Sequence, residues 1–500
     1  LSAVNKKLPA NIIEYFGLAV HNQQALKIIK KARQTVTSAF NDHPYNFYRK
    51  QQPEQPLRPA PAVSASYSSL YEGYRQMLFS DTGYWMKTSS AAFRPWKKRI
   101  DQWVDAEWEG DWVGDQLALW VKKQKDGSGR RLFEQALENG IDSVDQPPEI
   151  MKEFFEQVDA TPKLFDLEKA QKGADLLADM SPAIHYMANT SLIWVSSSIG
   201  PVSRMVGATG RFFDVENSLS RFVETSSYVV GDVSSADVFQ RFSKSLKTGV
   251  RVRLMHSQIR NQVIKVENQP DIMDFDQRGH PMSMRISTTG GMMFSLFCLW
   301  FSASLGARYS REDYESCCEL ARVISYINGI DYHLLPKDLD ECCLYIDHSL
   351  SMCEGVTPFT EQLNQAFYFG IPQLLAKRQR SKLMQKLAPL PQGFLNGINQ
   401  WAYGDEIFEL MPGMPKQAWW SMPLFSIIKQ VRGLYLLIDR NIPGHSLRQQ
   451  RRRIKHRAFS NKKFVWLVAK LMKRDGSDEV KMTYDSHDHS TAKDLKSANS

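Results

Sequence analysis

The chain has 500 residues, 43% of them hydrophobic and 11% aromatic, enough apolar material for one large core that encloses a ligand or for two or three average domains. Its formal net charge of +9 is concentrated, because residues 441–474 hold eleven Lys or Arg and no acid, which leaves the remainder near −2. Basicity is therefore one local patch, and with no recognised nucleic-acid module beside it a nucleic-acid partner is not expected.

In chain order, residues 1–50 read as a helical appendage, with apolar positions such as Ile12, Ile13 and Phe16 on a helix over 8–40. No apolar leader-like run opens it, so no signal peptide is expected and the expected location is the cytoplasm. Residues 51–63, QQPEQPLRPAPAV, form a proline-rich linker. Residues 64–114 are dense in aromatics, suited to packing over another surface or lining an apolar cavity. From 115 onward the pattern is helical: 115–123, 130–139 stopped by Gly140, 149–158 opened by Pro147 and Pro148, and 167–180 ended by Ser181 and Pro182. Residues 183–200 are apolar and rich in small side chains, as a deep helix with close neighbours would be. Further helices are expected over 288–307, 313–328, 339–353 and 358–369.

Period-two alternation is scarce and no repeat is evident, so the expected fold class is all-α, a large bundle-like helical domain over 115–370. Residues 371–474 follow as C-terminal helices with the basic patch, and 475–500 as a disordered tail. The one membrane-length apolar run, 290–307, is weakened by serines and glycines and reads as a buried central helix. Around 462–474, basic residues flank an apolar helix. That arrangement suits either peripheral contact of 441–474 with an anionic membrane or a basic helix packed on the domain by its apolar face. The six cysteines, Cys298, Cys317, Cys318, Cys342, Cys343 and Cys353, contain no C-x-x-C. They read as buried free thiols, with a bridge between the two adjacent pairs as the alternative.

The chemistry is narrowed by elimination. No phosphate-binding loop, nucleophile elbow, H-E-x-x-H or strand-flanked dinucleotide fingerprint occurs. What remains are two helical stretches about thirty residues apart. In the first, Arg221, Glu224 and Thr225 fall at i, i+3 and i+4 and share one side of a helix. In the second, VRVRLMHSQIR (250–260), Arg253 and Arg260 stand three before and four after His256 on its own side. A histidine so flanked stays neutral and able to bind a metal, and the arginines offer partners for the carboxylates of a haem. His185, His280, His333 and His348 read as structural or lack such neighbours.

The pattern Arg221-x-x-Glu224-Thr225 followed by VRVRLMHSQIR resembles one oxygenase family, that of the latex-clearing rubber oxygenases and the endoplasmic-reticulum-bound mpaB-type oxygenase. GATGRFFD (207–214), GHPMSMRISTTGGMMFSLF (279–297) and VISYINGIDYHLLP (323–336) fit the same resemblance, which spans about 115–370. It implies a b-type haem with His256 as the axial iron ligand, O₂ as co-substrate, and Arg221 and Thr225 beside the haem. In the latex-clearing members a lysine precedes that threonine. This chain has Glu224 there, a residue able to act as a base or as a partner of a nearby group. Arg253 and Arg260 as partners of the propionates, or of groups that support the ligand from behind, come from helical spacing and not from the resemblance. The expected function is a haem-dependent oxygenase acting on an apolar, unsaturated, lipid- or isoprenoid-like substrate. The rival readings are a haem- or lipid-binding protein without turnover and a cofactor-free helical scaffold.

Overall fold

The computed structural model describes residues 56–58, 60–61, 97–208, 215–263, 278–351, 356–366, 389–403 and 419–460. The expected appendage over 1–50, most of the aromatic segment, the helix at 462–474 and the tail at 475–500 lie outside the described residues.

Every regular element among the described residues is helical. The N-terminal layer comprises α1 (Lys97–Asp105), α2 (Trp112–Lys123), α3 (Ser128–Asn139) and α4 (Glu149–Asp159). Asp111 caps α2 by accepting the Gly114 N–H, and Gly140 stops α3 with φ +92, a conformation that costs a residue without Cβ nothing. There follow α5 (Leu167–Asp179), α6 (Pro182–Ser198), α7 (Gly200–Ala208) and α8 (Val215–Ser226). The last of these widens into a π-helical turn, Ser227–Asp232, before the long α9 (Lys244–Val263). Next, α10 (Met284–Met292) continues through a second π turn, Met293–Phe297, into α11 (Cys298–Ser304). The chain is completed by α12 (Arg311–Ile327), α13 (Leu339–Ser351), α14 (Pro358–Asn364), α15 (Pro389–Tyr403), α16 (Ser421–Asn441) and α17 (His445–Ala458).

The centre of the molecule is α12. It opens with a reciprocal capping box between Ser310 and Asp313, and Cys317, Leu320, Ala321 and Ile324 are fully sealed from solvent. Each buried Leu or Ile of this kind contributes about 1.5–3 kcal/mol. Two glycines admit its neighbours. A Cβ on Gly173 of α5 would lie 2.5 Å from the Ser316 carbonyl oxygen, and one on Gly291 of α10 would lie 2.6 Å from that of Ala321. Small residues therefore set how closely three backbones approach.

One apolar core extends from Ile100, Trp103 and Val104 on α1 to Ile398 on α15 and Phe425 on α16, so it reaches past both ends of the 115–370 span. The expected central helix is confirmed as buried. Among the described residues Met284–Ser304 is the one run long and apolar enough to cross a membrane, and 72% of its apolar window lies inside the protein. Five of the six cysteines are described, and all five are buried free thiols, so the adjacent pairs do not bridge.

Candidate functional site

The two stretches singled out in the sequence meet. On α9, Arg253, His256 and Arg260 share a side as their spacing requires. The Arg221 guanidinium on α8 reaches the Met255 sulfur at 4.0 Å and is close enough to His256 to act on its charge state. Arg221 also donates to the Glu224 carboxylate at 3.1 Å, within one turn of α8. Glu224 is buried, while Arg221 and Thr225 are partly accessible. The π turn begins two residues after Thr225, and the buried Ser226 and Ser227 hydroxyls have no hydrogen-bond partner among the described residues. A widened turn placed beside reactive side chains is a common feature of functional sites.

His256 lies deep in the molecule yet keeps an accessible face. Its imidazole is pushed down to about 3, first by burial and then by the positive charges of Arg260 and Arg221, with Asp111 opposing weakly. The ring is neutral at any physiological pH, as a metal ligand must be. Neither ring nitrogen makes a hydrogen bond to any described residue.

Arg253 and Arg260 both bind protein carboxylates. Arg253 grips Asp111 with both ends of its fork, Nε to Oδ2 at 2.7 Å and Nη2 to Oδ1 at 2.8 Å. It also donates to Gln157 Oε1 at 2.6 Å and stacks over the Phe154 ring at 4.4 Å. Arg260 donates to Asp115 Oδ1 and to Ser257 Oγ, each at 2.8 Å. These protein carboxylates hold both arginines on the side of α9 that carries His256, as groups supporting it from behind would be held. Burial raises the Asp115 carboxyl, and Arg260 beside it pulls the other way. The cluster needs room that only glycine gives. A Cβ on Gly114 would overlap Asp111 Oδ2 and lie 2.5 Å from Ser257 Oγ. One on Gly329, whose φ is +93, would also overlap Asp111 Oδ2 and lie 2.8 Å from Arg253 Nε.

Asp111, Asp115 and Gln157 were missed as site residues. Their signal was the i, i+4 acid pair at the head of α2, which a domain boundary at 114/115 divides. The remaining histidines sit elsewhere. His280 donates its Nδ1–H to the Pro281 carbonyl at 2.9 Å, and its imidazole is lowered to about 4 by burial and then by Arg260. His185 pairs with His456 of α17, Nδ1 to Nε2 at 3.3 Å. His333 belongs to the α12–α13 connection, where Asp331 accepts its backbone N–H. The side chain of His348 is outside the described residues.

The basic patch also resolves in part. Arg448 and Arg452 clasp Asp439 of α16, while Arg453 and Arg457 bind Asp175, and Arg453 also binds Asp179. Against the cost of burial, the two arginine hydrogen bonds hold the Asp439 carboxyl down at about 2. Helix α17 thus docks on α5 by its basic face, while the apolar face at 462–474 lies outside the described residues.

Fold and site together define an all-α protein with a neutral, unpartnered histidine braced by a buried ion cluster. No family model and no curated protein sequence matches the chain. Among solved structures it is similar to latex clearing protein LCP in the closed state, with a TM-score of 0.51 and 18% identity over 71% of this chain and 91% of that one. The chain therefore has the fold of latex clearing protein.

Proposed function

We propose that the protein is a haem-dependent oxygenase acting on an apolar, unsaturated, lipid- or isoprenoid-like substrate, with His256 as the axial ligand of the iron. The observation that carries this reading is His256 itself: neutral, deep, accessible on one face, and without a hydrogen-bond partner among the described residues. Among those residues no three His, Cys, Asp or Glu side chains converge on a point. A metal at His256 would thus take its other ligands from a macrocycle, which is what a b-type haem provides. The fold shared with a protein named for clearing latex supports the same class of substrate.

When bound, the haem would supply the redox chemistry that turns O₂ on a carbon–carbon double bond. The chain's own residues do the rest. Burial, and then Arg260 and Arg221, keep the His256 imidazole neutral, and Arg253 and Arg260, anchored by Asp111 and Asp115, fix the face of α9 that presents it. Glu224, held by Arg221 and buried, is placed to accept a proton from substrate. Thr225 offers a hydroxyl beside it. Buried apolar side chains of α6 and of the α10–α11 run, including Ala188, Leu192, Met293 and Leu296, belong to the core and would serve an apolar substrate by excluding water.

The test is an absorption spectrum of purified protein after haem supplementation, joined to oxygen uptake with candidate olefins. A Soret band that His256→Ala abolishes, with uptake above autoxidation, is expected. A band unchanged in His256→Ala would remove the ligand assignment, and binding with no uptake would leave a carrier instead of an oxygenase.

A further inference from the structure

Twelve large apolar side chains stand exposed among the described residues, and ten of them fall between Trp419 and Ile454, eight on α16 and α17 and two, Trp419 and Ile442, just outside them. On α16, Ile427, Val431, Leu434 and Ile438 follow the i, i+4, i+7, i+11 spacing and make one continuous stripe. The opposite face carries the packing. Phe425 is fully buried, and Arg432 donates to the Ser302 and Leu305 carbonyls at 2.6 and 2.9 Å. On that same side, Gly433 meets the backbone of Gly306. The orientation of α16 is therefore fixed from within, and the stripe is what it presents outward.

Helix α17 repeats the arrangement. Arg448, Arg452, Arg453, His456 and Arg457 turn inward to Asp439, Asp175, Asp179 and His185. Outward stand Leu447, Arg451, Ile454 and Lys455, at i, i+4, i+7 and i+8. Arg440, Arg451 and Lys455 are exposed and form no ion pair among the described residues. Apolar side chains interleaved with unpaired bases on one helical face are what an anionic lipid surface selects.

We propose that the outward faces of α16 and α17 are a docking surface for an anionic phospholipid bilayer, on which the helices lie without crossing it. Its charge decides among the occupants. A second copy meeting this face symmetrically would bring the same bases against each other. The chain's first 96 residues hold twelve Lys or Arg against five Asp or Glu, so they cannot neutralise it either. With Lys429, Arg432, Asp439 and Arg440 along its length, α16 is also too polar to span. The proposal is independent of haem binding.

The experiment is flotation of the full chain with vesicles of phosphatidylcholine alone and of phosphatidylcholine with about one third phosphatidylserine. Binding to the anionic vesicles, about tenfold or more above neutral ones and weakened by salt, is expected. The triple variant Val431→Ser, Leu434→Ser, Ile438→Ser should lower partitioning by about tenfold or more while melting as the parent does, because these side chains touch little of the core. The pair Arg451→Glu, Lys455→Glu should lower it by a similar factor. Failure to bind anionic vesicles would overturn the proposal, and so would binding that the triple variant leaves unchanged. A dimer in sedimentation that the triple variant abolishes, with no vesicle binding, would assign the face to a second copy.

Discussion

Removing Asp111 tests the internal support of the candidate site. Arg253, with 1% of its side chain exposed, has a two-point carboxylate partner in Asp111, and Asp111→Ala removes both bonds while keeping the Gln157 contact and the Phe154 ring. Breaking a buried pair from one side leaves a buried charge poorly compensated, which costs about 3–5 kcal/mol. The upper part of that range is tempered by Gln157 and by the second arginine's attachment to Asp115, so about 3 kcal/mol is expected. At about 2–4 °C per kcal/mol for a large domain, the melting temperature should fall by roughly 6–12 °C. The assay is circular dichroism or calorimetry on the parent, Asp111→Ala, Arg253→Met and the double variant. The double variant should be less destabilised than the sum of the singles, by about 1.5 kcal/mol or more, because the poorly compensated charge is gone. A loss below about 1 kcal/mol in Asp111→Ala, or strict additivity, would show that the pair does not brace α9.

Three further outcomes follow from other parts of the molecule. His456 Nδ1 lies 2.7 Å from the Met180 carbonyl and so carries the proton, which makes its Nε2 the acceptor from His185 and leaves His185 Nε2 buried with no hydrogen-bond partner among the described residues. Burial lowers both imidazoles, so their stabilising neutral form is complete above the unfolded value near 6.5 and is lost as pH falls below it. Urea midpoints should drop between pH 7.5 and 5.5, with a slope approaching about 1.4 kcal/mol per pH unit per proton, and His185→Phe should flatten that slope. An equal slope in the variant refutes the assignment. Glu224→Ala should slow oxygen uptake by about 10²–10⁴ if the carboxylate takes a proton, and an intact rate would end that role. Native protein should expose no more than one thiol to rapid alkylation, Cys353 being the cysteine outside the described set, whereas denatured protein should label all six without reductant.

The all-α class, most helix limits and the pairing of the Arg221 stretch with the His256 stretch were legible in the sequence. Helical periodicity, proline and glycine stops and acid-first helix openings are local, and local spacing fixes which side chains share a face. Spacing could place Arg253 and Arg260 beside His256, but not name their partners. Those lie 142 and 145 residues away, at Asp111 and Asp115, and a boundary drawn from composition divided the two. The same holds for α17, whose arginines looked like a solvated patch until Asp175 and Asp179 were brought to them from α5. A helix's own sequence determines its amphipathic faces. Which face turns inward is a property of what folds against it, and only the tertiary structure supplies the carboxylates that draw basic side chains in and leave apolar ones outside.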